Sequence, residues 1–545
     1  MARIYEYQGK QLLKKVGIKI PEGDVAATPE EARTIAGKIG KPVAIKAQVW
    51  ATGRFQAGGI KFAKSPGEAE QKAREVLGAK IKGLPVRKVL VEEMLNLEHE
   101  YYAGIVINSS MKVKAPVLVF STEGGTGVEE VTARNPERVS RHRIDPVRGL
   151  DPADVDQILQ KMNIQPPVSG KISQAICGLY RVFKEYDARS AEMNPFVLTK
   201  EGEIFAADCH VALDDSSIFR HPEFGIKVPR DMEREPTELE QLAWDHIEEG
   251  DYRGTGYFAQ MLTEFEKDAI YIGFHGIGGG GAMLGAAALI NRGLKIANYA
   301  DTSGDPPASK VYKVIKAIFS QPISAYVLTG ACLANQEQWY HAFAIVKALR
   351  EELPSRPGFP VVILLAGNKE NESMEILEDG LKDLNIRLEL YGRDYIYNSD
   401  YLGQRAEKLI AEYLRGKKEA KIHPFEKKNS AGNTLEFETR CTKVRIDYDK
   451  CEPAQKKTAD PKCGFACVKA DRMYDRNILR IENNRPILAV SKEEAKRASN
   501  ESLSWEYACN RTKNEAIRIL VPFPGLKEYR KKMNLEGGDS IVDHY

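Results

Sequence analysis

The sequence predicts an α/β protein of several domains, and three observations carry that reading. Helical and strand patterns alternate from the start: helices over Glu6–Val16 and Thr28–Ile39 flank Pro21 and lead into an apolar strand at Pro42–Lys46. Strand, glycine turn and helix then recur through the middle of the chain. Finally, 545 residues exceed what one core can hold, so about two to four domains are expected.

Composition narrows the class. A hydrophobic content of 43% and a charged content of 29% describe a globular chain. The formal net charge of +2 gives no hint of nucleic acid or anionic membrane as a partner. The opening Met1–Gln8 stretch has no apolar signal core and no apolar run reaches membrane-spanning length, so a cytoplasmic location is expected. Five of the eight cysteines fall between Cys441 and Cys509, a clustering that suggests metal or redox chemistry before disulfides.

After the strand ending at Lys46 comes a loop with Gly53, Gly58 and Gly59, which suits a backbone that must approach phosphate closely. It lacks the glycine and Lys-Ser/Thr spacing of a Walker loop. Val89–Met94 reads as a buried strand that leaves its apolar run at Glu92, and Glu100 starts another. Carboxylates at such edges can accept hydrogen bonds from an adenine amino group or ribose hydroxyls, and equally can be solvated strand ends. The stretch from Glu192 to Leu198, the turn around Glu201-Gly202 and the run Ile204 to Asp208 form a hairpin signal. With a five-residue loop from Thr199 to Glu203, Leu198 faces Ile204 and Asn194 faces Asp208. Opposed side chains on one face lie roughly 5 Å apart at Cβ, so amide and carboxylate oxygens would make a hard-oxygen site suited to Mg²⁺.

These separated motifs, with Glu6–Leu12 and the run Ser121-Thr122-Glu123-Gly124-Gly125, stand in an order and spacing that resembles the β subunit of succinyl-CoA synthetase and its relatives in ATP-citrate lyase. The resemblance covers roughly residues 1 to 415. It implies an ATP-grasp fold in which Lys46 binds ATP phosphate and Gly53, Arg54 and Phe55 cover the nucleotide. By the same resemblance Glu92 and Leu95 border adenine, Glu100 holds ribose, and Asn194 and Asp208 ligate Mg²⁺. Glu192 would face a phosphohistidine supplied by an α-type partner subunit, which would also hold most of the CoA. Apart from His275, no histidine of this chain (His99, His142, His210, His221, His246, His341, His423, His544) has the context of that phosphoryl carrier.

A charged helix, Glu238 to Glu249, reads as a linker, placing the first domain at 1–236. A second domain, 237–415, then has the pattern of a flavodoxin-like sheet. Its strand from Asp268 runs into Gly276–Gly281 and a helix from Ala282 to Asn291, either an anion-binding helix N-terminus or a plain tight turn. Further strands lie at Ala325–Cys332, with Gly330, and at Val361–Leu365. The domain resembles the CoA-ligase domain of the same family, which implies that the loops at Gly276 and Gly330 offer backbone N–H groups to a second phosphate site. Two positions depart from that family. Its dicarboxylate-using members carry an arginine where this chain has Leu364, and an asparagine where it has Ile277 or Gly278. His275, close by, is either a substitute phosphate-handling group or a hydrogen-bonding loop residue.

Beyond the charged segment 416–421 the composition changes, and residues 416–545 are expected to form a small α+β domain. Cys451, Cys463, Cys467 and Cys509 resemble an altered bacterial ferredoxin pattern, with a long insert after Cys451, a C-x₃-C pair, Asp471 near a missing cysteine and no proline after Cys509. Three readings stay open: one [4Fe–4S] cluster, a Cys₄ zinc site, or a fold that has lost its metal. In the first case a redox partner is implied. The whole reads as the ATP-binding subunit of an ADP-forming acyl-CoA ligase. The alternatives are a citrate-cleaving or citryl-CoA-forming subunit, and an electron-transfer scaffold with a vestigial ligase body.

Overall fold

Local chemistry starts the elements where the sequence places them. Thr28 accepts a hydrogen bond from the Glu31 amide while Glu31 reaches back to the Thr28 amide, a capping box that opens the helix Pro29–Ile39. Gly40, in the left-handed region at φ 65°, closes it. The first helix spans Glu6–Lys15 and the following strand Val43–Ala47. The computed structural model describes residues 2–533 other than 52, 125–127, 231–233, 267–268, 417–432, 458–460, 475–476 and 498–501. Gly125, Asp268, residues 417–421, His423 and His544 lie outside the described residues.

The chain divides into two compact units, Met1–Pro236 and Thr237–Tyr545. The first holds two main antiparallel sheets, besides the small ribbon of Lys80–Ile81 and Leu84–Pro85. One is four-stranded, in the order Gly23–Ala26, Val89–Glu93, Val43–Ala47, Ile60–Ala63. Its alanine- and valine-rich inner face packs under the helices Pro29–Ile39 and Pro66–Leu77. The other is seven-stranded and centred on the long strands Leu97–Asn108 and Ala188–Thr199, whose apolar face is buried with the helix Val168–Glu185. The hairpin signal holds in register: Leu198 pairs with Ile204 and Phe196 with Ala206. The same offset continues through Met193 with Cys209 to Ser190 with Ala212.

The second unit is built on a seven-stranded sheet ordered Tyr257–Gln260, Asn298–Asp301, Tyr271–Ile277, Ala325–Glu337, Phe359–Asn368, Ile386–Tyr391, with the short strand Lys295–Ile296 also pairing with Tyr271–Ile277. Strands from Asn298–Asp301 to Ile386–Tyr391 run parallel. Helices cover both faces, which is why the central strands are almost continuously apolar. The helix after the first glycine turn spans Gly279–Ile290. The segment expected as a linker is part of this core instead. Glu238–Ala243 is a short α-helix that passes into a π-helical turn, and Leu239, Ala243 and Ile247 are buried in the main apolar cluster. Its charge pattern is misleading because Glu240 is buried too, accepting from the amides of Thr237 and Gln260.

The C-terminal region adds a three-stranded antiparallel sheet of Thr434–Glu438, Lys443–Asp447 and Ile517–Leu520. A hairpin pairs Leu479–Glu482 with Arg485–Leu488. Its turn residues Asn483 and Asn484 both take positive φ, as a tight two-residue turn requires. This region shares one apolar cluster with the parallel-sheet domain, in which Trp505, Ile517 and Phe523 join Phe343, Leu349 and Phe359. Arg530 ties them further, donating to Glu352 Oε1 at 3.0 Å and to Ser320 Oγ at 2.8 Å. Among the described residues no helix is long and apolar enough to cross a membrane.

Candidate functional site

In the first unit the two sheets bring their charged strand ends together. Lys46, on Val43–Ala47, is buried, with its Nζ 2.6 Å from Glu92 Oε1 and 3.2 Å from Glu6 Oε1. It also donates to the carbonyl of Ala207 at 2.6 Å. Lys10, one turn along the first helix from Glu6, pairs with Glu6 at 2.9 Å and with Glu92 at 2.6 Å. Arg54 reaches in from the glycine loop and clamps both oxygens of Asp208, at 2.9 and 2.8 Å, while approaching Glu6 at 2.7 Å. Lys10, Lys46 and Arg54 thus balance Glu6, Glu92 and Asp208 charge for charge.

Burial of such groups costs several kcal/mol apiece unless each is paired, and the pairing is visible in their acidities. Burial alone would push the Glu6 carboxyl up, but Lys10, Lys46 and Arg54 hold it well below the usual range. Burial would pull Lys46 down, yet Glu6, Glu92 and Asp208 carry it well above an ordinary lysine. Arg54 is raised in the same way, burial working against Asp208 and Glu6. Lys46 and Arg54 are therefore permanent cations, suited to hold phosphate oxygens.

Asn194 and Asp208 lie side by side as the hairpin register requires: the Asn194 amide donates to the Asp208 carbonyl at 3.3 Å. Asp208 is otherwise engaged by the Cys209 amide at 2.7 Å and by Arg54. These are the two residues expected to hold Mg²⁺, an ion that takes few protein ligands and completes its shell with water and phosphate. Glu92 is committed to Lys10 and Lys46, so its carboxylate is turned to the ion pairs; Leu95 and Glu100 are half-buried beyond it. Gly53 is exposed at φ 65°, and Phe55 is 64% exposed beside Phe62. Glu192 accepts from the Tyr102 hydroxyl at 2.9 Å. In the sequence Glu6 and Lys10 belong to the Glu6–Leu12 motif and carry no role of their own. Their spacing as an acid–base pair on one helix face was the only signal, and nothing in it announced that both would be buried.

The second unit differs from expectation in detail. Gly276 and Gly330 sit inside strands, Tyr271–Ile277 and Ala325–Glu337, rather than at loop tips. A Cβ on Gly330 would stand 2.4 Å from the Ile277 carbonyl oxygen, and one on Gly276 would stand 2.3 Å from the Ala282 Cβ. These glycines let backbones touch. The helix Gly279–Ile290 starts further on, capped by Gly278, whose amide donates to Asp301 at 3.0 Å. His275 points into the core, fully buried, with Nδ1 2.6 Å from the Tyr326 hydroxyl and Nε2 2.7 Å from Thr302 Oγ1. Both ring nitrogens are used, so the bonding reading describes it and the phosphate-handling one does not. Leu364 is 4% exposed and clusters with Ala282, Ala286 and Leu402, an apolar setting with no place for a guanidinium.

In the C-terminal region Cys451, Cys463, Cys467 and Cys509 line one cavity. Among the described residues no three histidine, cysteine or acidic side chains are placed to hold a metal ion, so neither the [4Fe–4S] nor the zinc reading is supported by the structure. Asp471, at the position where a ferredoxin pattern would place a further cysteine, is buried and accepts from the Leu479 amide at 2.7 Å.

Comparison with known proteins identifies the family and the fold. A family model described as an ATP-grasp domain matches residues 3–198, and one described as the ATP citrate lyase citrate-binding domain matches residues 270–399. The β subunit of the GDP-forming succinate–CoA ligase of Thermus thermophilus is 36% identical over 380 residues, 69% of this chain and 93% of that one. The β subunit of the ADP-forming succinate–CoA ligase of Methanothermobacter thermautotrophicus is 34% identical over 381 residues, 69% of this chain and 93% of its own length. The solved ATP citrate lyase of Methanothrix soehngenii, in complex with citrate and coenzyme A, shares the fold: TM-score 0.56 at 19% identity, covering 72% of this chain and 96% of that one. The chain therefore belongs to the β-subunit family of succinate–CoA ligases, acid–thiol ligases that carry an ATP-grasp domain.

Proposed function

We propose that this chain is the nucleotide-binding subunit of an ADP-forming carboxylate–CoA ligase and that its phosphoryl-transfer site is the cluster of Lys46, Arg54, Asn194 and Asp208. The observation that carries the proposal is the charge-balanced cluster itself. Two permanently charged cations stand beside a hard-oxygen pair, on the two sheets that an ATP-grasp domain closes over its nucleotide. Bound Mg²⁺ would neutralise the β- and γ-phosphoryl oxygens as charge develops. Lys46 stays protonated because Glu6 and Glu92 flank it, and so presents a fixed positive charge rather than a proton donor. Asp208, held here by Arg54, would be a ligand of that ion, and the Arg54 guanidinium would then be available to phosphate oxygens. Positioning and charge neutralisation of this kind supply most of the rate in phosphoryl transfer.

The phosphoryl acceptor is a histidine of an α-type partner subunit, faced by Glu192, and CoA captures the activated acyl group. The acid is a carboxylate that does not depend on an arginine from the Phe359–Asn368 strand, since Leu364 replaces bidentate guanidinium recognition with an apolar wall. Succinate and citrate are disfavoured on that ground. Asp208→Ala should abolish Mg²⁺-dependent ADP release with the α partner present, and unchanged turnover would defeat the site assignment. A screen of mono- and dicarboxylates by CoA-dependent ADP release identifies the acid.

A further inference from the structure

We infer that Trp50 is a positioning residue of the phosphoryl-transfer site: stacked on Tyr5, it fixes where the glycine loop leaves the strand Val43–Ala47 and so where the Arg54 guanidinium lies. The inference rests on the assignment of that site to Lys46, Arg54, Asn194 and Asp208.

The row that ends at Trp50 begins at Lys46. Lys46, Gln48 and Trp50 stand at alternate positions, and all three meet the N-terminal end of the first helix. Lys46 pairs with Glu6 at 3.2 Å, and Gln48 accepts from the Tyr7 amide at 3.2 Å. The Trp50 indole stacks on the Tyr5 ring, with centroids 5.3 Å apart. The strand itself stops at Ala47, so beyond it these side-chain contacts set the path of the chain. From Trp50 the chain turns back, and Arg54 donates to the Ala47 carbonyl at 2.9 Å while clamping Asp208. Behind Arg54 the loop is tied by its backbone, the Gly59 amide donating to the Arg54 carbonyl at 2.8 Å. Ahead of it the aromatic pair is the anchor.

Tyr5 is a fixed platform. Its hydroxyl donates to Glu235 Oε1 at 2.5 Å, and Glu235 is paired with Arg87 at 3.0 Å. Tyr7 stacks on it at 5.9 Å, with Lys88 Nζ 5.9 Å from the centre of the Tyr7 ring. Trp50 is held differently. Its carbonyl accepts from Arg3 at 3.2 Å, but its indole Nε1 is buried and has no hydrogen-bond partner among the described residues. An unpaired buried N–H is a cost, which stacking on an aromatic face offsets. The position therefore uses the ring and not the N–H. Placement matters for the residue that follows, because a guanidinium grips phosphate through a planar fork, and a displacement of about 1 Å at such a site can cost on the order of 100-fold.

The test measures binding of Mg·ATP to the full chain by titration calorimetry. Arg54→Met should weaken it at least about tenfold. Trp50→Leu, which keeps apolar bulk but removes the aromatic face, should weaken it about fivefold to tenfold. Trp50→Phe, which keeps a ring and gives up only the unpaired N–H, should stay within about twofold of the parent. Because Trp50 acts through Arg54, adding Trp50→Leu to Arg54→Met should change affinity less than about twofold, an interaction that general loosening of the fold would not produce. Equal weakening by Trp50→Leu in both backgrounds, no weakening in either, or loss in Trp50→Phe as large as in Trp50→Leu overturns the inference while Arg54→Met still marks the site. A parent that does not bind Mg·ATP, or an Arg54→Met variant that binds it as tightly as the parent, defeats the site assignment and this inference with it. Should Trp50→Leu not fold, Tyr5→Leu removes the stack from the other ring and decides; should the double variant not fold, the contrast between Trp50→Leu and Trp50→Phe decides.

Discussion

Replacing Arg54 by methionine keeps the length of the side chain and removes its charge from the centre of the cluster. Asp208 would lose both bonds to the guanidinium, and Glu6 its contact at 2.7 Å. Lys10 and Lys46 would then face Glu6, Glu92 and Asp208 with one positive charge too few. Taking one partner from a buried pair costs about 3–5 kcal/mol, because the other is left uncompensated. For a unit the size of residues 1–236, each kcal/mol is worth about 2–4 °C, so the melting transition of this unit should fall by roughly 6–20 °C. The same change exposes Asp208 to a new partner. At a Mg²⁺ concentration 100-fold above its dissociation constant, binding returns about 2.7 kcal/mol, or roughly 5–10 °C. Calorimetric scans of parent and variant, each with and without Mg²⁺, measure both effects. Melting within about 2 °C of the parent, or equal Mg²⁺ shifts for both proteins, would refute the reasoning.

Two further outcomes follow from the second unit. His341 is fully buried beside Thr302, and burial holds its imidazole down to about 4, with the Thr302 carbonyl pulling weakly the other way. The unfolded chain takes up that proton near pH 6.5. The folded form is thus favoured above pH 6.5, and this contribution, on the order of 3 kcal/mol, is lost as pH falls from 6.5 towards 4. Urea unfolding at pH 7.5, 5 and 4 should show the loss in the parent and a smaller one in His341→Gln; the same loss in both would reject the assignment. Gly330→Ala should destabilise by about 1–3 kcal/mol, since its methyl would meet backbone atoms of Ile277 rather than a side chain that could turn away. An unaltered melting temperature would show that the strands can part.

What the sequence determined by itself is largely what short-range chemistry controls. The hairpin register was legible because side chains alternate with period two and the short polar turn pins the offset, so Asn194 opposite Asp208 required nothing beyond residues 192–208. The capping box at Thr28 and the Asn483-Asn484 turn are likewise local. Only the tertiary structure decided which charges meet. Lys46 is closed in by Glu6 and Glu92, which come from a different helix and a different strand, and Arg54 crosses to Asp208 over a separation of 154 residues. It also decided that Gly276 and Gly330 serve strand packing, that one face of the acidic helix from Glu238 is buried, and that the C-terminal region shares its core with the parallel sheet. The physical reason is the same in each case. The cost of burying a charge, or of adding a methyl group, depends on which distant surface arrives to cover it, and a pattern read along the chain carries no record of that surface.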